Sequence, residues 1–383
     1  MKIADFRLER FFARHEFSAP YLLCSSDCES WSVEELLSLE EGSLSELRAL
    51  RLGYTESLGH PALREELARL YERMGADDII VFSGAEEAIF IFMNVALGKG
   101  DHVIVQFPAY QSLYEVADSI GCRVTRWVMD ERKGLWHLDM DLLERLIEKD
   151  TRAIIINTPH NPTGHLMLRA DYERLIEIAA QKGITLFCDE VYRMLEHDCS
   201  LRLPALCDCL DKGISLGVMS KSLGLAGLRI GWVATADRDL RRKMASFKDY
   251  TTICSSAPSE LLSMIALRNR DKLLARNLSI ISLNMELLSG FFREYGHLFR
   301  WAPPRAGSIA FPSLLFEKNV LDFVTDLVEK KGVLLMPGTH YDFDERHFRI
   351  GFGRRNMPEA LGRLEEYVKE QLAGQAGPRG LDN

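Results

Sequence analysis

The sequence has no apolar run near the ~18–20 residues that a membrane-spanning helix requires, so no membrane partner is expected. It has no G-x-x-x-x-G-K-[ST] phosphate loop, and no G-x-G-x-x-G follows the first predicted strand, which removes the usual signatures of nucleotide-dependent enzymes. Positive charge is in deficit: 47 Lys+Arg against 56 Asp+Glu leave a net charge of −9. Nucleic acids and anionic membranes both call for a basic face, so nucleic acid is not expected as a partner either. Internal repeats and low-complexity stretches are absent. The first residues, MKIADFRLERFF, mix charge into the apolar positions and suit an amphipathic helix better than a signal peptide. None of the eight cysteines stands in the two-residue Cys-Cys gap of common zinc motifs. The cluster His197, Cys199, Cys207 and Cys209 is read as ordinary thiols, with no metal expected. Cys24, Cys28, Cys122, Cys188 and Cys254 complete the set. In a chain this long, reduced thiols in a cytoplasmic protein are the expectation.

What is present is an alternation. Strands are predicted at Ile79–Phe82, His102–Gln106, Arg123–Val128, Ala153–Asn157, Ile184–Cys188, Ile214–Met219 and Ile230–Ala234. Several are near-continuous apolar runs, as in strands buried on both faces. Helical patterns intervene at Ala85–Leu97, Gln111–Ile120, Met140–Glu148 and Asp171–Gln181. This predicts an α/β fold with a mostly parallel, doubly wound sheet, whose ligands sit at the carboxyl ends of the strands. The C-terminal part predicts a smaller α+β domain. It has a long helix over Ala257–Leu288, broken once, then turns and strands over Trp301–Phe316. Helices follow at Leu321–Lys331 and from Met357 to about Leu372, with strands at Val333–Met336 and Phe348–Phe352. The domains are expected at 46–285, and at 1–45 with 286–373, with 374–383 a disordered tail.

Five sets of residues fall at strand ends or turns. Ser83-Gly84-Ala85-Glu86 opens a helix directly after a strand. It reads either as a capping box, with Ser83 as cap and Glu86 reaching back, or as a phosphate cradle of free N–H groups. In Asn157-Thr158-Pro159-His160-Asn161-Pro162-Thr163-Gly164, two X-Pro steps stiffen the backbone that presents Asn161. Asp189 ends an apolar run with Tyr192 three residues on, and a buried carboxylate needs a partner. Such a partner is a protonated heterocyclic nitrogen, or a nearby Arg or helix N-terminus. In Ser220-Lys221-Ser222-Leu223-Gly224-Leu225-Ala226-Gly227-Leu228-Arg229-Ile230-Gly231, a neutral Lys221 can form a Schiff base with an aldehyde, and Arg229 can return to hold a phosphate. Arg349, in Phe348-Arg349-Ile350-Gly351-Phe352-Gly353, suits a carboxylate; alone it would read as an outward-facing residue on an edge strand.

Together these motifs resemble the fold-type I, pyridoxal-phosphate-dependent aminotransferases of class I/II, from Tyr54 to Arg349. The spacings fit as well: 189 − 161 = 28, 221 − 189 = 32 and 229 − 221 = 8. The resemblance implies a seven-stranded, mostly parallel sheet and a pyridoxal 5'-phosphate cofactor. It implies that Lys221 bonds the cofactor and moves the proton, while Asp189 keeps the pyridine nitrogen protonated. Asn161 and Tyr192 would bond the phenolic oxygen, and Tyr110, in Phe107-Pro108-Ala109-Tyr110, would stack on the ring. Ala85, Glu86, Ser220 and Arg229 would hold the phosphate, with Tyr54 reaching that of a neighbouring subunit in a homodimer. Arg349, with Asn161, would bind substrate. Many relatives carry Ser or Thr three residues before the lysine, where this chain has Val218. The function implied is ping-pong transfer of an amino group from an L-amino acid to a 2-oxo acid in the cytoplasm. A lyase, decarboxylase or cyclising synthase is the alternative, and a non-catalytic ligand-binding regulator a distant one. The stretch Tyr250–Ser256 holds no Arg or Lys, which points away from aspartate or glutamate as main donor. Trp31, Trp136, His15 and His340 read as pocket lining or as packing.

Overall fold

A computed structural model describes residues 2–132 and 134–372. The tail expected over 374–383 lies outside the described residues. The central sheet has seven strands: β1 Ile79–Phe82, β2 His102–Phe107, β3 Arg123–Val128, β4 Thr151–Asn157, β5 Thr185–Asp189, β6 Gly213–Val218 and β7 Gly231–Ala234. Their spatial order is β1-β7-β6-β5-β4-β2-β3. All neighbours pair in parallel except those of β7, which is antiparallel to both β1 and β6. The sequence-predicted strands therefore form the expected α/β sheet. Its inner strands are buried except for Arg152 of β4 and the half-buried Thr185 of β5, in keeping with their apolar runs, whereas β3 at the edge buries only Trp127.

The reversal of β7 matters for position. Phe82 and Val218, at the carboxyl ends of β1 and β6, both pair with Gly231, the first residue of β7. Asn157 pairs with Asp189 at the ends of β4 and β5. The turns after β1, β4, β5 and β6 and the turn before β7 thus share one edge of the sheet.

The C-terminal part contributes a three-stranded sheet: β8 Ile309–Ala310, β9 Met336–Pro337 and β10 Phe348–Gly351, with β10 in the centre. The strand expected over Val333–Met336 is limited to Met336–Pro337. The N-terminal segment lies along this sheet. The Gly351 N–H donates to the Leu23 carbonyl at 2.7 Å, and the Glu29 N–H to that of Gly353 at 2.8 Å. The predicted break in the long helix falls at Asn269, between Ala257–Arg268 and Arg270–Glu294.

The second of these helices ties the two sheets together. Asn277 and Asn284 are seven residues apart and share one helix face. Both are buried. Asn277 Nδ2 donates to the Ser222 carbonyl at 2.9 Å, beside Lys221. Asn284 Nδ2 donates to the carbonyls of Phe352 at 2.9 Å and Arg354 at 2.8 Å, just past β10. No described helix is long and apolar enough to cross a membrane.

Asn284→Ala strips the buried Phe352 carbonyl of its donor and leaves the part-buried Arg354 carbonyl with only the Met357 N–H at 3.3 Å. It is expected to lower unfolding stability by about 1–3 kcal/mol in denaturant titration. A variant as stable as the parent would mean that this helix does not hold the end of β10.

Candidate active site

The turn after β1 does not form a capping box. The helix Ala85–Ala96 has Gly84 at its N-cap, with φ +86°, and no side-chain cap. Ser83 donates its own N–H to Glu87 at 2.6 Å, while Glu86 accepts from Ser112 Oγ at 3.0 Å. The first-turn N–H groups are therefore left without a capping side chain. Glycine is required here by conformation and by space: a Cβ on Gly84 would lie 2.7 Å from Arg229 Nη2. A Cβ on Gly231 would lie 2.5 Å from the Gly84 carbonyl carbon and 2.7 Å from the Ala85 nitrogen. Arg229 itself sits in the left-handed region at φ +52°, a conformation that non-glycine residues adopt at a cost. Its guanidinium is thereby brought over the open helix end. Ser220 is buried at the same edge.

Lys221 follows β6. Its Nζ donates to Ser26 Oγ at 2.8 Å. Burial pushes the amine below the ordinary lysine range, and the nearby Arg349 charge adds to this, while Asp27 and Asp189 pull the other way. Such an amine loses its proton more easily than an exposed one. Asp189 is the last residue of β5 and 6% exposed. Burial pushes its carboxyl up to about 7, against the Val191 N–H, which it accepts at 3.1 Å, and the Lys221 charge.

Asn157 sets the turn after β4. Its Oδ1 accepts from the Asn161 N–H at 2.6 Å, and its Nδ2 donates to the Asp189 carbonyl at 2.8 Å. Its own N–H donates to Gln106 Oε1 at 2.9 Å. One amide thereby fixes Asn161 relative to Asp189. Asn161 Oδ1 in turn accepts from Tyr341 Oη at 3.1 Å and faces Arg349 Nη1 at 3.4 Å.

Arg349 is not an outward-facing edge residue. It lies in the central strand of its sheet and is 1% exposed. Its Nε donates to the Cys24 carbonyl at 3.0 Å and its Nη1 to Tyr341 Oη. Its Nη2 is buried with no hydrogen-bond partner, as is Tyr192 Oη. Unpaired buried donors are costly, so both groups are suited to a ligand.

The structure places Tyr110 beneath the N-terminal helix Arg7–His15, where its Oη donates to Glu9 at 2.8 Å. Tyr54 is not brought to the site of its own chain and is 91% exposed. Among the aromatics and histidines, Trp31 packs under Arg276, Trp136 joins the Phe311–Phe343–His347 cluster, and His15 and His340 flank Phe11. Among the described residues, His102, Glu148 and Asp150 are spaced as metal ligands could be. The His102 ring bonds the hydroxyls of Thr151 and Thr125, and Arg123 pairs with both carboxylates.

Sequence reasoning gave no role to Asn157, Ser26, Tyr341 or Glu9. Asn157 lay inside a quoted motif, so position alone singled it out, and Ser26 was not singled out. Tyr341 and Glu9 carry no local signal, since only the fold brings them to the site.

An amine, a carboxyl, an amide and two guanidinium groups thus gather at one edge of a doubly wound sheet, a set suited to an anionic ligand with a polar ring. The chain belongs to the aminotransferase class I and II family, which it matches over residues 28–364. It is 27% identical over 375 residues to a capreomycidine synthase of Streptomyces vinaceus, covering 96% of this chain and 95% of that one. Among solved structures, it resembles a PLP-dependent aminotransferase of Streptococcus suis 89-1591 with 32% identity and a TM-score of 0.90, covering 96% of this chain and 98% of the other. It also resembles the PLP-dependent cyclase OrfR, with 28% identity, a TM-score of 0.88, and coverage of 97% and 98%.

The raised Asp189 pKa has a sign that can be checked in ligand-free protein. Above the ordinary value of 3.8, the unfolded chain has lost this proton while the folded protein keeps it up to about 7. Stability therefore falls with rising pH across that window. Asp189→Asn removes the effect. The stability of the variant relative to the parent is expected to rise from pH 4 to 7, by at most about 1.4 kcal/mol per pH unit. A difference that stays flat with pH contradicts the burial argument.

Proposed function

We propose that this protein, a pyridoxal-phosphate-dependent enzyme of the aminotransferase family, moves an amino group from an L-amino acid to a 2-oxo acid by a ping-pong mechanism. The observation that carries this reading is the convergence of Lys221, Asp189, Asn161 and the buried, incompletely paired Arg349 on one edge of the sheet. The residues present fit the cofactor. Gly84 leaves room for Arg229 over an open helix end, and Tyr192 Oη and Arg349 Nη2 await partners.

When bound, pyridoxal 5'-phosphate supplies an electron sink for the bond that breaks at the substrate's α-carbon. The chain supplies the rest. The Ala85 and Glu86 N–H groups, Ser220 and Arg229 hold phosphate. Asp189 would hold a proton on the pyridine nitrogen, and Asn161 and Tyr192 would bond the phenolic oxygen. Tyr110 covers the ring face. Arg349 would bind the α-carboxylate, and the Lys221 amine would carry the proton away from the α-carbon. The active unit is a homodimer in the cytoplasm, in which exposed Tyr54 reaches the partner's phosphate. The domain division at 46 and 285 belongs to the same reading.

A second reading has specific support. The capreomycidine synthase and OrfR both match nearly the full chain, so a cyclising reaction on the same scaffold is the alternative. Product analysis separates the two. Without an acceptor, transamination is expected to release one equivalent of 2-oxo acid per site, whereas cyclisation returns a product that keeps the α-nitrogen. Lys221→Ala is expected to lose at least about 10²-fold in rate. A variant that retains full activity overturns both readings.

A further inference from the structure

The helix Arg7–His15 bridges two parts of the site. The Arg7 N–H donates to Gln111 Oε1 at 2.9 Å beside Tyr110, and the Arg7 guanidinium pairs with Asp342 at 2.8 Å. On the face spanned by positions 9, 12 and 16, Phe12 lies 5.9 Å from the Arg349 guanidinium carbon. Glu9 and Glu16 flank Phe12 on that face, and Glu9 holds Tyr110 through one carboxylate oxygen.

These carboxylates are unbalanced. Asp27, the third acid nearby, is paired with Arg354 at 3.0 Å. Among the described residues, neither Glu9 nor Glu16 has an ion-pair partner. Burial pushes Glu16 up and the Glu9 charge adds to this, while the charges of Arg354 and Lys221 offset part of it. The second observation is independent of the acids: Arg349 Nη2, buried and unpartnered beneath Phe12, asks for an anionic group of a ligand. A ligand held there by its carboxylate has the acidic helix face next to it.

We propose that Glu9, with Glu16, is the side-chain recognition element of this site and selects an amino acid whose side chain ends in a guanidinium or ammonium group. This deepens the functional reading above and rests on its placement of the α-carboxylate at Arg349. Glu9 and Glu16 act as specificity determinants, and Glu9 orients Tyr110 as well.

The test uses holoenzyme and two matched pairs, arginine against citrulline and lysine against norleucine. For each pair, the ratio of Kd values is read by calorimetry and the ratio of single-turnover rates by rapid mixing. At least one cationic member is expected to bind about tenfold or more tighter than its neutral match. Glu9→Gln, which still accepts from Tyr110, is expected to bring that ratio towards one, and Glu16→Gln to lower it by a smaller factor. Ratios near one for both pairs in the parent overturn the inference. So does a Glu9→Gln variant that weakens both members of a pair alike, because that is the mark of a residue that only holds Tyr110. If no amino acid turns over yet the Kd preference and its loss in Glu9→Gln persist, the inference stands and the catalytic reading falls. Turnover of neutral and cationic amino acids without preference has the opposite meaning.

Discussion

No side chain fits at Gly231, because the Gly84–Ala85 backbone lies against its Cα. That close approach is possible only because β7 runs antiparallel between β1 and β6, with its first residue against their last. A parallel strand in its place would carry Arg229 to the far edge of the sheet. The reversal instead puts a guanidinium over a helix N-terminus, beside the lysine that follows β6. The chemistry proposed for this edge depends on that packing contact.

A second constraint governs charge. Lys221, Asp189 and Arg349 are drawn into a low-dielectric edge, where Arg349 Nη2 is left without a partner. The Lys221 amine is thereby easier to deprotonate, as proton transfer requires, and the Asp189 carboxyl is harder to ionise unless a cation sits beside it. Such an arrangement costs folding energy unless rigid neighbours hold it. Three asparagines do so. Asn157 fixes the Asn161 turn to Asp189, while Asn277 and Asn284 clamp the lysine loop and the arginine strand from one helix. The site spans two sheets, yet its reacting groups hang from a few amide hydrogen bonds.

The α/β sheet was legible because strands buried on both faces read as near-continuous apolar runs, and several of these did. The motif residues at their ends were legible for the same reason, since a polar residue that closes such a run, like Asp189, stands out. Two local readings were misplaced. The turn at Ser83 looked like a capping box, but Glu86 finds Ser112 on a neighbouring helix and Gly84 takes the cap position. The segment Val333–Met336 looked like a full strand, but only its end reaches β10. The asparagine clamps, Tyr341 and the acidic helix face were not legible. Most of their partners lie tens to hundreds of residues away, and no periodicity marks a residue whose job is to reach another element.

The most direct test of the central claim is chemical. The protein reconstituted with pyridoxal 5'-phosphate is treated with borohydride and digested, and the modified peptide is identified by mass spectrometry. The account predicts a single stable adduct on Lys221 that amino acid pretreatment prevents. An adduct on another lysine, or none on reconstituted protein, contradicts it.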